Sequence, residues 1–206
     1  MNTDLPIVLA SGNPGKIDEI NAMIHDMPYR VIAQSELGIG EAVEDKPTFI
    51  ENALIKARHA STASGQAAVA DDSGLIVDAL NGEPGVKSAR YSGADANDER
   101  NIAKLLDQLA SVPNAQRTCH FVCTIVFLRH GEDPSPIIAT GSLHGTVHHR
   151  KQGSNGFGYD PVVWIPQLQR TLAELDPVTK NAISHRGKAL RKLKDRLLTV
   201  ADIHDA

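Results

Sequence analysis

Four apolar residues in a row, Ile7-Val8-Leu9-Ala10, run straight into Ser11-Gly12-Asn13-Pro14-Gly15-Lys16. A short continuous apolar run is what a strand buried on both faces requires, as in a sheet covered by helices. The pattern then changes period: Ile17, Ile20, Met23, Ile24 and Met27 mark one helical face. Asn13 suits the N-cap of that helix and Pro14 its first position. A buried strand, a glycine-bearing turn and a helix at the start of the chain point to an α/β fold.

The same alternation continues. Thr48 with Glu51 forms a capping box that opens a second helix, expected to reach about Ala63. Residues 67–70 read as a small-residue strand that stops at Asp71-Asp72-Ser73-Gly74, with extended structure resuming at Leu75. Asn81-Gly82-Glu83-Pro84-Gly85 is a turn cluster, and Ile102, Leu105, Leu106 and Leu109 define a third helix. Residues 121–128 and 137–149 are rich in β-branched and aromatic side chains and are expected to form a long hairpin around a turn at 131–134. A glycine-rich loop at 153–158, a strand at 162–165, a capping box at Thr171 and Glu174, and a helix from about Gly187 close the chain. The expected fold is α/β: a long twisted mixed β-sheet flanked by helices, a single domain over residues 1–206 with two lobes and a central substrate cleft.

Composition narrows the function. The 206 residues carry a net charge of −4, against the strongly basic balance of domains that bind nucleic acid through its phosphates. No stretch approaches the roughly 18 apolar residues of a membrane span, and no basic segment precedes the first apolar run. Cys119 and Cys123, four apart on an expected strand, would stand about 13 Å apart, too far for a disulfide. Reduced, buried thiols suit a cytoplasmic protein.

Four segments carry chemistry. Ser11 to Lys16 joins strand to helix, where glycines admit a close ligand and the helix N-terminus favours anions. It is not a P-loop, because only two residues separate Gly12 from Gly15 and Lys16 is followed by Ile17; on its own it is equally a tight turn. Asp71 and Asp72 are adjacent carboxylates at a strand end, which taken alone equally suit an exposed turn that opens with Asp. Burying both without a cation is costly, and magnesium takes one or two carboxylates together with phosphate oxygens. On a regular strand the two side chains point to opposite faces, so one would face a metal and the other a lysine or water. Glu44, in an acidic stretch, is a further candidate ligand. Phe157, between Gly156 and Gly158, suits a loop that presents an aromatic ring to a purine, or one that packs the ring into the core. Lys180, His185 and Arg186 offer donors for a carbonyl or phosphate. The basic run beyond Arg186 reads as a solvated helix face, and His148-His149 with Cys119 lacks zinc-ligand spacing.

These segments together resemble the inosine triphosphate pyrophosphatase family, from Ile7 to about Leu198. The motifs are Ser11-Gly12-Asn13-Pro14-Gly15-Lys16, Thr48-Phe49-Ile50-Glu51-Asn52-Ala53, Ala70-Asp71-Asp72-Ser73-Gly74-Leu75, Pro84-Gly85-Val86-Lys87-Ser88-Ala89-Arg90-Tyr91, Gly156-Phe157-Gly158-Tyr159-Asp160-Pro161 and Ser184-His185-Arg186-Gly187-Lys188. The resemblance implies hydrolysis of inosine and xanthosine triphosphates, ribose or deoxyribose, to monophosphate and pyrophosphate, with Mg2+ as cofactor and a homodimer as the working form. It places Ser11, Gly12, Asn13, Pro14, Gly15 and Lys16 on the triphosphate, Lys56 near the phosphates, and Ser73 on the substrate. Asp72 matches the residue that binds magnesium and activates water, with Glu44 as a second ligand and Asp71 as the alternative base. Phe157, Gly158, Tyr159, Asp160, Lys180, His185 and Arg186 match the nucleotide-contacting set. A hydrolase of other modified nucleotides and a non-catalytic nucleotide sensor remain rival readings.

Overall fold

The computed structural model describes residues 5–11, 16–17, 20–21, 27 and 29–204, the last five of these by backbone alone. Its strands are β1 (Leu5–Leu9), β2 (Tyr29–Ala33), β3 (Ala67–Val77), β4 (Thr118–Leu128), β5 (Ile137–Val147), β6 (Val163–Ile165) and β7 (Arg170–Thr171). Among the described residues they form one seven-stranded sheet of order β2-β1-β3-β4-β5-β6-β7. β1 pairs in parallel with both β2 and β3, whereas β6 pairs antiparallel with β5 and β7, so the sheet is mixed. The helices are α1 (Phe49–Ser64), α2 (Asp98–Gln108), α3 (Pro177–Ile183) and α4 (His185–His204).

The chain divides into two compact units. One gathers the described residues of Met1–Asp72, Thr124–Thr140 and Ala189–Ala206; the other is Ser73–Cys123 with Gly141–Lys188. The core of the first unit is built from small side chains. Ala53, Ala57 and Ala60 of α1 lie in one buried cluster with Ala68 and Ala70 of β3, Val8 of β1 and Val126 of β4. Alanine at these positions lets the helix axis approach the sheet closely, at little cost in side-chain entropy. The second unit uses larger groups: Leu75, Leu105, Leu109, Phe121, Tyr159 and Leu172 share its cluster.

Buried Arg117 stands out in the second unit. Its guanidinium donates to the carbonyls of Leu109 at 2.6 Å and Val147 at 2.8 Å, and burial lowers its pKa. Leu109 caps the C-terminal end of α2, where carbonyls lack helical partners and the dipole favours a cation. Along β5, α4 supplies further cations. Lys192 Nζ donates to Thr140 O at 2.7 Å and the Arg196 guanidinium to Ile138 O at 2.8 Å in the first unit. Lys188 Nζ donates to Ser142 O at 2.8 Å in the second. The β5–β6 pairing covers only Thr146 and Val147, so long basic side chains satisfy carbonyls that would otherwise lie on an open strand edge.

Two expectations change. β3 does not stop at Asp71 but continues through Asp72, Ser73 and Gly74 to Val77. Sheet context overrides the poor strand propensity of these residues, and the Ser88 hydroxyl accepts the Leu75 N–H at 2.9 Å. The expected Thr171–Glu174 capping box is present and opens a short 3-10 turn. The closing helix begins at His185, two residues before Gly187, and is preceded by α3. Asp176 caps α3 by accepting the Thr179 N–H, with Pro177 at the first position. Ser184 caps α4 through the Gly187 N–H at 2.9 Å. A Cβ on Gly187 would stand 2.1 Å from the Asn181 carbonyl, which is why this helical position carries glycine. The helix expected after Lys16 is seen at Lys16, Ile17, Ile20 and Asn21; Met23, Ile24 and the cap at Asn13-Pro14 lie outside the described residues. Cys119 and Cys123 are buried and joined in no disulfide, and burial beside Asp78 pushes the Cys119 thiol up to about 12. Among the described residues no helix is long and apolar enough to cross a membrane.

Candidate active site

In the first unit, α1 and β3 bring acids and cations together. Lys56 Nζ lies 2.9 Å from Glu44 Oε2 and 3.8 Å from Asp72 Oδ1, so one ammonium stands between the two candidate metal ligands. Asp72 Oδ2 accepts a hydrogen bond from Asn52 Nδ2 at 3.3 Å. Asp71, the next residue along the strand, pairs instead with Lys16 Nζ at 2.8 Å. Adjacent strand residues alternate faces, and the two carboxylates accordingly meet different lysines. Both are buried, as is Asn52. The Lys16 ammonium, expected to face phosphate, rests on a carboxylate. Ser11 is half-buried at the end of β1, while Gly12, Asn13, Pro14 and Gly15 lie outside the described residues.

The donor set suits a hard divalent cation. Two carboxylates already hold a positive group between them, and magnesium takes few protein oxygens, leaving positions for water and phosphate. Among the described residues no group of three or more His, Cys, Asp or Glu side chains could hold a metal unaided.

In the second unit, the loop before β6 is organised around Asp160. This buried carboxylate accepts the Phe157 N–H at 2.9 Å and pairs with Lys180. Gly156 has φ +80°, and a Cβ there would stand 2.2 Å from Asp160 Oδ2 and 2.8 Å from Lys180 Nζ. Glycine is therefore required on two counts, backbone conformation and space. Phe157 is 59% exposed, with Lys180 Nζ 4.5 Å and the Arg186 guanidinium carbon 5.9 Å from its ring centroid. Gly158 N–H donates to Asp98 at 2.7 Å, at the start of α2. Tyr159 is a core residue whose hydroxyl donates to Ser88 O at 2.9 Å, and burial raises its pKa. His185 stacks on Phe121 with centroids 4.8 Å apart and planes 11° apart, so one ring face packs on the core aromatic. Ser73 is half-buried on β3, next to Asp72 in sequence.

The structure thus groups Glu44, Lys56 and Asp72; it groups Asp71 with Lys16; and it groups Phe157, Asp160, Lys180 and Arg186. Two contributors escaped the sequence reading as site residues. Asp98 is an ordinary first-turn acid by sequence and carries no signal of its contact with Gly158. Asn52 does carry one: asparagine is a poor residue for a helix interior, yet it sits buried within α1.

Within a mixed α/β fold, the first unit thus carries a lysine between two carboxylates, and the second an exposed aromatic ring beside two cations. The chain belongs to the Ham1 family, which it matches over residues 7–196. It is 53% identical to the dITP/XTP pyrophosphatase of Pectobacterium atrosepticum over 191 residues, 93% of this chain and 97% of that one. The solved HAM1 protein of Coxiella burnetii superposes with a TM-score of 0.92 at 45% identity, covering 95% of this chain and 99% of the other. The Staphylococcus aureus Ham1 protein gives 0.87 at 42% identity, covering 94% and 98%.

Proposed function

We propose that this chain hydrolyses deaminated purine nucleoside triphosphates, those of inosine and xanthosine in ribose or deoxyribose form, to the monophosphate and pyrophosphate. It works with Mg2+ as a cytoplasmic homodimer and clears these nucleotides before they enter DNA or RNA. The observation that carries the reading is the Lys56 ammonium between Glu44 and Asp72 in a member of this family, an arrangement of charges suited to a metal and a polyphosphate. Support for the substrate comes from relatives named dITP/XTP pyrophosphatase at about half identity over nearly the whole chain. The buried cysteines, joined in no disulfide, suit the cytoplasm, and the homodimer rests on the family resemblance.

Asp72 and Glu44 would hold the metal, which when bound supplies charge neutralisation on the phosphate oxygens and stabilises the leaving pyrophosphate. Lys56 and Lys16, each already resting on a carboxylate, would neutralise phosphate charge, aided by the Ser11–Gly15 motif. Asp72 orients a water for in-line attack on the α-phosphorus and takes its proton as the bond to pyrophosphate breaks; Asp71 positions Lys16. In the second unit Phe157 stacks on the base, with Arg186 and His185 as donors to the carbonyl at position six. Adenine places an amine there, and a site built on hydrogen bonds can reject the mismatch by about 10⁴-fold or more.

The experiment is a panel of inosine, xanthosine, adenosine, guanosine and uridine triphosphates assayed for pyrophosphate release with and without Mg2+. The expected result is metal-dependent release that is fastest for inosine and xanthosine nucleotides. Saturable binding without turnover would replace the enzyme by a sensor, and a pyrimidine preference would replace the substrate.

A further inference from the structure

Resting on the reading of Asp72 and Glu44 as metal ligands, we infer that Asn52 is a positioning residue that sets the affinity of the site for its divalent cation. It does so by fixing the Asp72 carboxylate and the Glu44 loop with one amide.

The geometry is a three-way junction within the first unit. Asn52 is fully buried on α1. Its Oδ1 accepts the Lys46 N–H at 3.0 Å, and its Nδ2 donates to the Lys46 carbonyl at 3.1 Å and to Asp72 Oδ2 at 3.3 Å. An asparagine amide has two N–H donors, and here each has an acceptor. Turning the amide over would set the NH₂ against a backbone N–H and the oxygen against a carboxylate, so only one orientation satisfies all three contacts.

Two consequences bear on metal binding. Lys46 follows Glu44 by two residues, so the double hydrogen bond to the Lys46 backbone anchors the loop that carries Glu44. The hydrogen bond to Asp72 Oδ2 fixes the carboxylate plane and turns Oδ1 toward Lys56 and Glu44, the side on which a cation would be held. One turn further along α1, Lys56 contacts the same two carboxylates. A helix therefore presents an orienting amide and a balancing ammonium four residues apart, on one face. Groups that orient metal ligands typically account for about 10–100-fold in metal affinity.

The test uses the full-length protein saturated with the α,β-methylene analogue of inosine triphosphate, which the proposed reaction cannot cleave. Mn2+ binding is read from the electron paramagnetic resonance signal of the free ion, and the Mg2+ activation constant is measured with inosine triphosphate. Asn52→Leu, close in size but without hydrogen bonds, is expected to weaken Mn2+ by about 10–100-fold and to raise the Mg2+ activation constant in parallel. The KM for inosine triphosphate at saturating Mg2+ should move by less than about threefold, because a loss in metal affinity is overcome by mass action. Thr48→Ala removes the cap of α1 without touching Asp72, and should lower Tm while leaving the Mn2+ constant at the wild-type value. If Asn52→Leu fails to fold, Asn52→Ser gives the same reading, since a hydroxyl is too short to join Lys46 to Asp72.

A folded Asn52 variant with the wild-type Mn2+ constant overturns the inference and leaves Asn52 as a packing residue. Asp72→Asn separates this failure from that of the underlying reading. If Asp72→Asn loosens Mn2+ and the Asn52 variants do not, only the inference falls. If Asp72→Asn also leaves the Mn2+ constant unchanged, the metal assignment falls with it.

Discussion

The two units solve different problems with different materials. In the first, the charged groups of the candidate site sit largely on regular structure: Asp71 and Asp72 within β3, Asn52 and Lys56 on α1, with Glu44 tied down by Lys56. The alanine-lined contact between α1 and β3 brings backbone to backbone, which limits how far those charges can shift. In the second, the aromatic ring sits on a loop whose shape depends on Asp160, Lys180 and a glycine at positive φ. Reaction chemistry needs charges held within about 0.5 Å of their working positions. A loop with the role proposed for Phe157 can tolerate more movement, because stacking depends on area rather than on a single distance. The contrast predicts that changes in the first unit act on turnover and changes in the second act on substrate binding.

The largest effect is expected for Asp72→Asn, which neither neutralises a cation nor takes a proton. Its kcat should fall by at least about 10²–10⁴-fold, the share commonly attributed to general base catalysis, and by the same factor for every nucleotide. Steady-state kinetics on inosine and xanthosine triphosphates check this; a loss confined to KM would erase the contrast.

Gly156→Ala comes next. The added Cβ meets Asp160 and Lys180, and the left-handed backbone costs a non-glycine residue about 1–2 kcal/mol. The loop must rebuild, so KM for inosine triphosphate should rise by about tenfold or more while kcat at saturation changes far less. A variant impaired in kcat alone would show that the loop acts on the reaction itself.

Phe157→Ala should be milder. If stacking is its whole role, all purine triphosphates weaken together by about 1–3 kcal/mol in kcat/KM. A loss that differs strongly between inosine and xanthosine nucleotides would give Phe157 a part in reading the base edge as well.

The smallest effect on activity is expected for Asp133→Asn, which serves as a control in the first unit away from the acids of β3. Asp133 is buried and accepts hydrogen bonds from the Arg129 guanidinium and from the Arg129 and Ser135 backbones. The Arg129 hydrogen bonds hold its carboxyl well below the usual carboxylate range. A depressed carboxylate stabilises the fold above the unfolded pKa, and that contribution is lost as pH falls through the depressed value. Asp133→Asn should therefore cost about 1.5–3 kcal/mol at pH 7, with the difference from wild type shrinking below about pH 4. Thermal melts across pH measure this. Equal destabilisation at pH 7 and pH 3 would mean that packing, not charge, is what Asp133 supplies.

Much of this molecule was legible without coordinates because it is written in local pattern. The apolar run of β1, the Thr48–Glu51 cap of α1 and the β-branched strands β4 and β5 appear where periodicity and capping put them, since burial of a regular element imposes its own spacing. The motifs likewise marked Asp72, Phe157 and Arg186 as candidates, and the charges around them, with the family resemblance, added Glu44, Lys56 and Lys180. What required the tertiary structure was everything that depends on neighbours distant in sequence. β3 runs on through Asp-Asp-Ser-Gly because the sheet supplies partners that local propensity ignores. Lys16 rests on Asp71, Lys56 stands between Glu44 and Asp72, and Gly158 leans on Asp98 across 60 positions of chain. Sequence spacing constrains which residues share a face of one element, but hydrogen bonds and ion pairs act only over a few ångströms. Which side chains come within that range is decided when the elements pack, and so Asn52, unremarkable inside its motif, acquires its three contacts only in the folded chain.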